Sequence, residues 1–166
     1  MYILYKFNKN KVLEDKITAK YIPLCCRSGC CRGRNEKMIA YFKRFIATVA
    51  WRIMTFGSYK EYVVLSEDKM LIHRSVVCKK SYKFPFLQKN QLCIGPCYTN
   101  PSYRGKGIYG RVLLQIVEMH KDITDFYMIV HDCNTSSRRG VEKAGFEVAG
   151  EVIRKGPSFF GMWCRV

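Results

Sequence analysis

This chain is poor in acid and in histidine, and it has no long apolar run. Asp and Glu total 13 against 29 Lys and Arg, giving a formal charge of +16 over 166 residues. An imbalance of that size disfavours polycations such as polyamines as partners and favours anionic molecules. No uninterrupted stretch approaches the ~18 uncharged apolar residues of a membrane-spanning helix, so none is expected. Met1-Tyr2-Ile3-Leu4-Tyr5-Lys6 lacks the basic-then-apolar order and the cleavage site of a signal peptide, and a cytoplasmic location is expected. There is no internal repeat or low-complexity tract. No helix-turn-helix, zinc-finger or RNP-type pattern accompanies the charge, which disfavours nucleic acid as the partner.

Cysteine is abundant instead, with nine in all. The number is odd and no secretion signal goes with it, so reduced thiols are a better reading than a disulfide framework. Cys25-Cys26 and Cys30-Cys31 lie in a loop-like stretch, residues 25–34. No second CxxC or His pair completes a metal site there. Free thiols are the default reading and no metal is expected.

At 48% hydrophobic, the chain suits one domain with a real core. Met1 to Phe7 reads as a strand. Residues 35–56 read as a helix, because Ile39, Phe42, Ile46, Val49, Ile53 and Phe56 recur at three- and four-residue spacing. That apolar side is expected to pack on a sheet, with Lys43, Arg44 and Arg52 facing solvent or an acceptor groove. Peripheral contact with an anionic membrane is the alternative. Glu61 to Leu65 and Met70 to Lys79 read as a hairpin. Leu92 to Thr99 reads as a strand interrupted at Gly95-Pro96, where proline removes a ladder donor and a bulge or break is expected. Helix 107–121, strand 125–131, helix 135–144, strand 146–154 and a last strand from Phe159 to Val166 follow. The order implies a mixed, mostly antiparallel sheet with helices on both faces.

Two segments carry the chemistry. Asn100-Pro101-Ser102-Tyr103-Arg104-Gly105-Lys106-Gly107-Ile108-Tyr109-Gly110 joins a strand to a helix start. Glycines there let several N–H groups point at one anion, and the helix dipole adds attraction, so the turn suits a pyrophosphate. Taken alone, it could equally be a solvated connection. The second segment is Asn134-Thr135-Ser136-Ser137 followed by Glu142-Lys143-Ala144-Gly145-Phe146, a helix with start and stop residues.

Together, in this order and at this separation, the two segments resemble the GNAT superfamily of acyl-CoA-dependent N-acetyltransferases. The resemblance covers roughly residues 61 to 155. It implies one α/β domain of the α+β type, a mixed, mostly antiparallel twisted sheet flanked by helices, with splayed central strands. Residues 61–166 would be the coenzyme-A-binding core and residues 1–60 a basic acceptor-side segment. With 13 basic and 3 acidic side chains, that segment holds +10 of the +16. The resemblance also implies that acetyl-CoA contacts Cys97, Tyr98, Thr99, Arg104, Gly105, Lys106, Gly107, Ile108, Tyr109, Gly110, Asn134 and Ser137. Tyr109 departs from it, since the family usually has a small residue there.

Acyl transfer to an amine needs a deprotonated amine, a stabilised oxyanion and a proton for the departing thiolate. The resemblance implies that N–H groups around Cys97 and Tyr98 serve the oxyanion. The family's usual helix tyrosine, seven residues after Asn134, is Val141 here, and residues 91–99 hold no carboxylate. His73 is the candidate proton acceptor, with an ordinary role in a strand as the alternative. His131 is the second candidate, and Tyr98 and Tyr103 are possible donors. Cys97 suggests an acyl-cysteine, but a buried core thiol is the simpler reading. The expected acceptor is a primary amine on an anionic small molecule such as an amino sugar, for a monomer or a homodimer. A protein amine, or a purely binding role, is the alternative.

Overall fold

The computed structural model describes residues 1–8, 25–27, 38–157 and 161–166. Its strands are β1 (Tyr2–Asn8), β2 (Cys25–Arg27), β3 (Lys60–Leu65), β4 (Leu71–Cys78), β5 (Gln91–Thr99), β6 (Asp125–His131), β7 (Glu147–Lys155) and β8 (Met162–Arg165). Its helices are α1 (Met38–Met54), α2 (Ile108–Met119) and α3 (Thr135–Lys143). All eight strands form one sheet in the order β2-β3-β4-β5-β6-β1-β7-β8. Every pairing is antiparallel except β5 with β6. The expected mixed, mostly antiparallel sheet is therefore present.

Alternation along each strand builds two cores. On one face Tyr5, Phe7, Val77, Leu92, Phe126 and Met128 meet Val112, Leu113, Ile116 and Val117 of α2 and Val141 and Ala144 of α3. On the other, Leu4, Val76, Cys78, Cys93, Tyr127 and Val152 meet Tyr59, Phe84 and Leu87. Neighbours such as Leu4 and Tyr5 enter opposite cores because the side-chain period of a strand is two. No helix among the described residues is long and apolar enough to cross a membrane.

Two expectations change. Cys25–Arg27 is not loop but a short edge strand paired with Arg27↔Glu61, Cys26↔Tyr62 and Cys25↔Val63. Cys30 and Cys31 lie outside the described residues, and with them the reading of a four-thiol loop. The helix α1 forms where the periodicity puts it, but its apolar side faces away from the sheet. Ile39, Phe42, Ile46, Val49, Ile53 and Phe56 are all exposed. Phe84 and Leu87, from the connection before β5, already fill the second core, and α1 reaches it through Trp51. The strand read at Met1 to Phe7 is present as β1, inside the sheet between β6 and β7.

The β1 strand is also fastened to α3 by polar groups. The Tyr5 hydroxyl donates to Glu142 Oε1 at 2.8 Å and accepts from Arg138 Nε at 3.2 Å. Tyr5→Phe keeps the ring packing and removes both bonds. It should lower unfolding stability by about 1 kcal/mol with an unchanged denaturant slope. A change near zero in urea titrations would show that the bonds are fully replaced by water.

Candidate active site

The site is made by two strands that part. β5 and β6 pair only at Gln91↔Asp125, Leu92↔Phe126 and Cys93↔Tyr127. Beyond Cys93, β5 stays on β4 alone. Ser75 faces Cys97 and Val77 faces Ile94, so β5 carries one extra residue between these pairs. That is the bulge expected at Gly95-Pro96, where Pro96 has no N–H to give a ladder. Past it, backbone groups on the free edge of β5 point into the gap rather than at a partner strand.

The chain then turns through Pro101–Tyr103 into the glycine-rich loop. Gly105 and Gly107 have φ of +76° and +70°, and Gly107 caps α2. Left-handed residues at a helix start aim successive N–H groups into one concavity. Arg111 braces this loop from below, donating from Nη2 to Lys106 O at 2.8 Å and from Nε to Gly107 O at 3.4 Å. Arg104 Nε holds Thr99 O at 3.1 Å, tying the loop back to β5.

Loop, β5 and α3 enclose a cleft of about 630 Å³. Of the residues predicted to touch a cofactor, Cys97, Tyr98, Thr99, Arg104, Gly105, Gly107, Ile108, Tyr109, Gly110, Asn134 and Ser137 line it. Lys106 does not, because its ammonium turns to the Tyr103 ring, 5.1 Å from the centroid. Asn134 Oδ1 accepts from Ser137 N at 3.1 Å and caps α3. Its amide nitrogen has no partner among the described residues.

Sequence reading missed Arg111, Arg139 and Lys143. With Arg104 they make four cationic side chains on the cleft wall, and its lining contains no carboxylate. Arg139 and Lys143 are four apart on α3, a spacing that puts both on one side of a helix. Gly140 was missed as well. A Cβ there would stand 2.6 Å from Tyr109 Cδ1, so only glycine leaves room for that ring. A glycine inside a helix costs about 1 kcal/mol relative to alanine, which is the signal that marked it.

Seated against Gly140, Tyr109 turns inward. Its hydroxyl lies 3.4 Å from Ser137 Oγ and shares a hydrogen bond with Cys97. Burial raises its pKa, so the hydroxyl stays protonated and available as a donor. Burial likewise pushes the Cys97 thiol up to about 11, with opposing help from the Ser75 hydroxyl at 3.2 Å. A thiol so raised is a poor nucleophile at neutral pH, which disfavours an acyl-cysteine.

The two histidines fare differently from expectation. His73 does not line the cleft. It is fully buried beneath it, with Nδ1 2.7 Å from Thr99 Oγ1, Nε2 2.8 Å from Ser75 Oγ, and its ring 5.9 Å from that of Tyr109. Burial, then the charge of Arg74, lowers its pKa to about 4. A neutral ring bonded at both nitrogens orders β4 against β5. Held neutral in this way, the ring is a weak base near neutral pH. His131 does not line the cleft either. Its ring packs on Tyr2, on the sheet face away from α2 and α3, and Nδ1 lies 2.9 Å from Asp132.

The depressed His73 pKa has a consequence for stability. The unfolded chain binds the proton at about pH 6.5, the folded chain only near 4. Stability is therefore fully present above pH 6.5 and falls as pH drops toward 4, by roughly 3 kcal/mol at most from this group. In His73→Gln, that acid-side slope should be shallower in chemical denaturation measured at stepped pH. An unchanged slope would mean that His73 does not titrate on unfolding.

No protein-family model matches the chain, and no curated protein does. Solved structures do. A GNAT-family acetyltransferase from Colwellia psychrerythraea superposes with a TM-score of 0.60 at 16% identity, over 89% of this chain and 52% of that one. The aminoglycoside N-acetyltransferase AAC(6')-Iy in complex with CoA gives 0.52 at 13% identity, over 66% of this chain and 91% of that one. A tandem GNAT protein from the clavulanic acid biosynthesis pathway gives 0.62 at 14% identity, over 89% and 50%. This chain spans about half the length of the first and third. Likeness at such identities is likeness of fold.

Proposed function

We propose that this chain, which has the GNAT fold, is an N-acetyltransferase that moves an acetyl group from acetyl-CoA to a primary amine. The single observation that carries the reading is the cleft wall: four cations, no carboxylate and a left-handed glycine turn at a helix start, all opening onto the gap between β5 and β6. Coenzyme A is a polyanion with a long, thin thiol arm, and this cleft suits both parts. Its thioester, when bound, supplies an activated acyl group.

The residues then divide the work. Amides of Gly105, Gly107 and the first turn of α2 hold the pyrophosphate, with Arg104 and Arg111 beside them. Free-edge N–H groups of β5 near Cys97 and Tyr98 stabilise the oxyanion that forms when the amine attacks. The Tyr109 hydroxyl protonates the departing thiolate and regains its proton through water from the attacking amine, a role that explains a bulky residue turned inward where Val141 has no proton to give. Tyr98, exposed at the cleft mouth, is the second donor. No side chain of the described lining is a base at neutral pH, so the amine loses its proton to water.

The acceptor class follows from charge. Two of the similar structures are aminoglycoside acetyltransferases, AAC(6')-Iy and AAC(6')-Ih from Acinetobacter baumannii. An aminoglycoside is a polycation, and a chain of +16 repels one. An amine on an anionic small molecule, such as an amino sugar carried on a nucleotide in polysaccharide biosynthesis, suits this chain better. Because no base lines the cleft, binding of acyl-CoA without transfer is the second reading.

Calorimetry tests the cofactor. Gly107→Val forces a β-branched residue into φ +70° and should weaken CoA binding at least tenfold, and Arg104→Ala should weaken it several-fold. Equal affinity in a folded Gly107→Val protein would remove the assignment.

Free-thiol release from acetyl-CoA, with amino-sugar nucleotides as acceptors, tests the reaction. Tyr109→Phe should lower kcat about 100-fold, within the range of acid catalysis, and leave CoA affinity within a few-fold. Turnover equal to wild type would return the proton to Tyr98 or water, and no turnover with any amine would favour the binding role.

A further inference from the structure

The helix α1 presents its more apolar side to water. Ile39, Phe42, Ile46, Val49 and Ile53 are 72%, 61%, 54%, 42% and 71% exposed, while Thr48 and Thr55 are buried. A helix packed on a core normally does the reverse. Thr55 tolerates burial because its hydroxyl donates to Trp51 O at 2.8 Å. At 100° per residue, the five apolar side chains fall within an arc of roughly 80°. Lys43 stands at one border of this stripe and Arg52 at the other. Met38–Met54 contains no Asp or Glu.

We infer that α1 is a docking surface for an anionic membrane. The Ile39–Ile53 stripe lies flat at the boundary between headgroups and acyl chains. Lys43 and Arg52 extend their apolar stems along it and set their charges among lipid phosphates. Charge decides between this occupant and a second copy of the chain. Two copies meeting through α1 would bring +16 against +16, whereas an anionic bilayer attracts the whole molecule and then accepts the stripe. The docking face is on the opposite side of the sheet from α2, α3 and the cleft, so the cleft stays open to solvent when the protein is bound. The inference stands whether or not the chain transfers an acyl group.

The test uses the full chain and phosphatidylcholine vesicles with and without phosphatidylglycerol, read by co-sedimentation at low and physiological salt. The wild type should sediment with the phosphatidylglycerol vesicles and stay free of the others. A Phe42→Ser, Ile46→Ser, Val49→Ser triple variant alters only exposed positions, so its melting temperature and CoA affinity should be unchanged. Its vesicle affinity should fall roughly 100-fold through lost apolar burial. Three outcomes overturn the inference. These are a wild type that sediments with neither vesicle, a triple variant that binds as well as wild type and so leaves charge alone, and a wild-type dimer in ultracentrifugation that the variant dissolves, which makes a second copy the occupant.

Discussion

The site exists because β5 cannot keep two neighbours. Up to Cys93 it has β4 on one side and β6 on the other. At Gly95-Pro96 it gains a residue against β4, and the ladder to β6 is not resumed. A buried strand edge would be costly if nothing met its polar groups. Here the edge borders a cleft, where water or a ligand carbonyl can meet them. The proposed oxyanion donors are therefore a by-product of one proline that has no hydrogen to give. The same parting separates the ends of β5 and β6, so that the glycine turn after one and the Asn134 cap after the other face each other.

Tyr109 is the clearest adjustment this chain makes to that frame. A large side chain at the start of α2 would collide with α3 were residue 140 anything but glycine. The two positions act as one: Gly140 weakens its own helix and in return seats a hydroxyl inside the gap. Below it, Ser75, His73 and Thr99 form a buried hydrogen-bonded row that fixes the two strands flooring the cleft. The row is polar but not titrating near neutrality, and it supplies shape and dipoles instead of charge.

How much of this could be read from the chain alone depended on range. The α2 face was legible because Val112, Leu113, Ile116 and Val117 declare it within two turns. The glycine turn and the proline bulge were legible because both are local backbone requirements. Periodicity found α1 and its apolar stripe, but a period says that a face exists, not what it faces. The sheet had already been covered by Phe84 and Leu87, which no helical pattern reveals. His73 reads as a usable base in the sequence because its strand is visible there and its depth is not. Arg139 and Lys143 were plain in the sequence, but only the packing of α3 on the start of α2 brings them to the cleft.

The central place of β1 bears on how the molecule is made. Tyr5 pairs with Met128 on one side and Val148 on the other. Tyr5 is thus held on both sides by residues more than a hundred positions later in the chain. Such contacts carry the full entropic cost of closing loops of more than a hundred residues. Until β6 and β7 arrive, β1 is an apolar segment with both edges open, the kind of intermediate that aggregates or engages a chaperone. The β3-β4 and β4-β5 pairings join strands that follow one another directly in the chain, and they can form early. Folding should proceed from that hairpin outward, with insertion of the first strand as the closing step, and expression yield should depend on how long β1 waits.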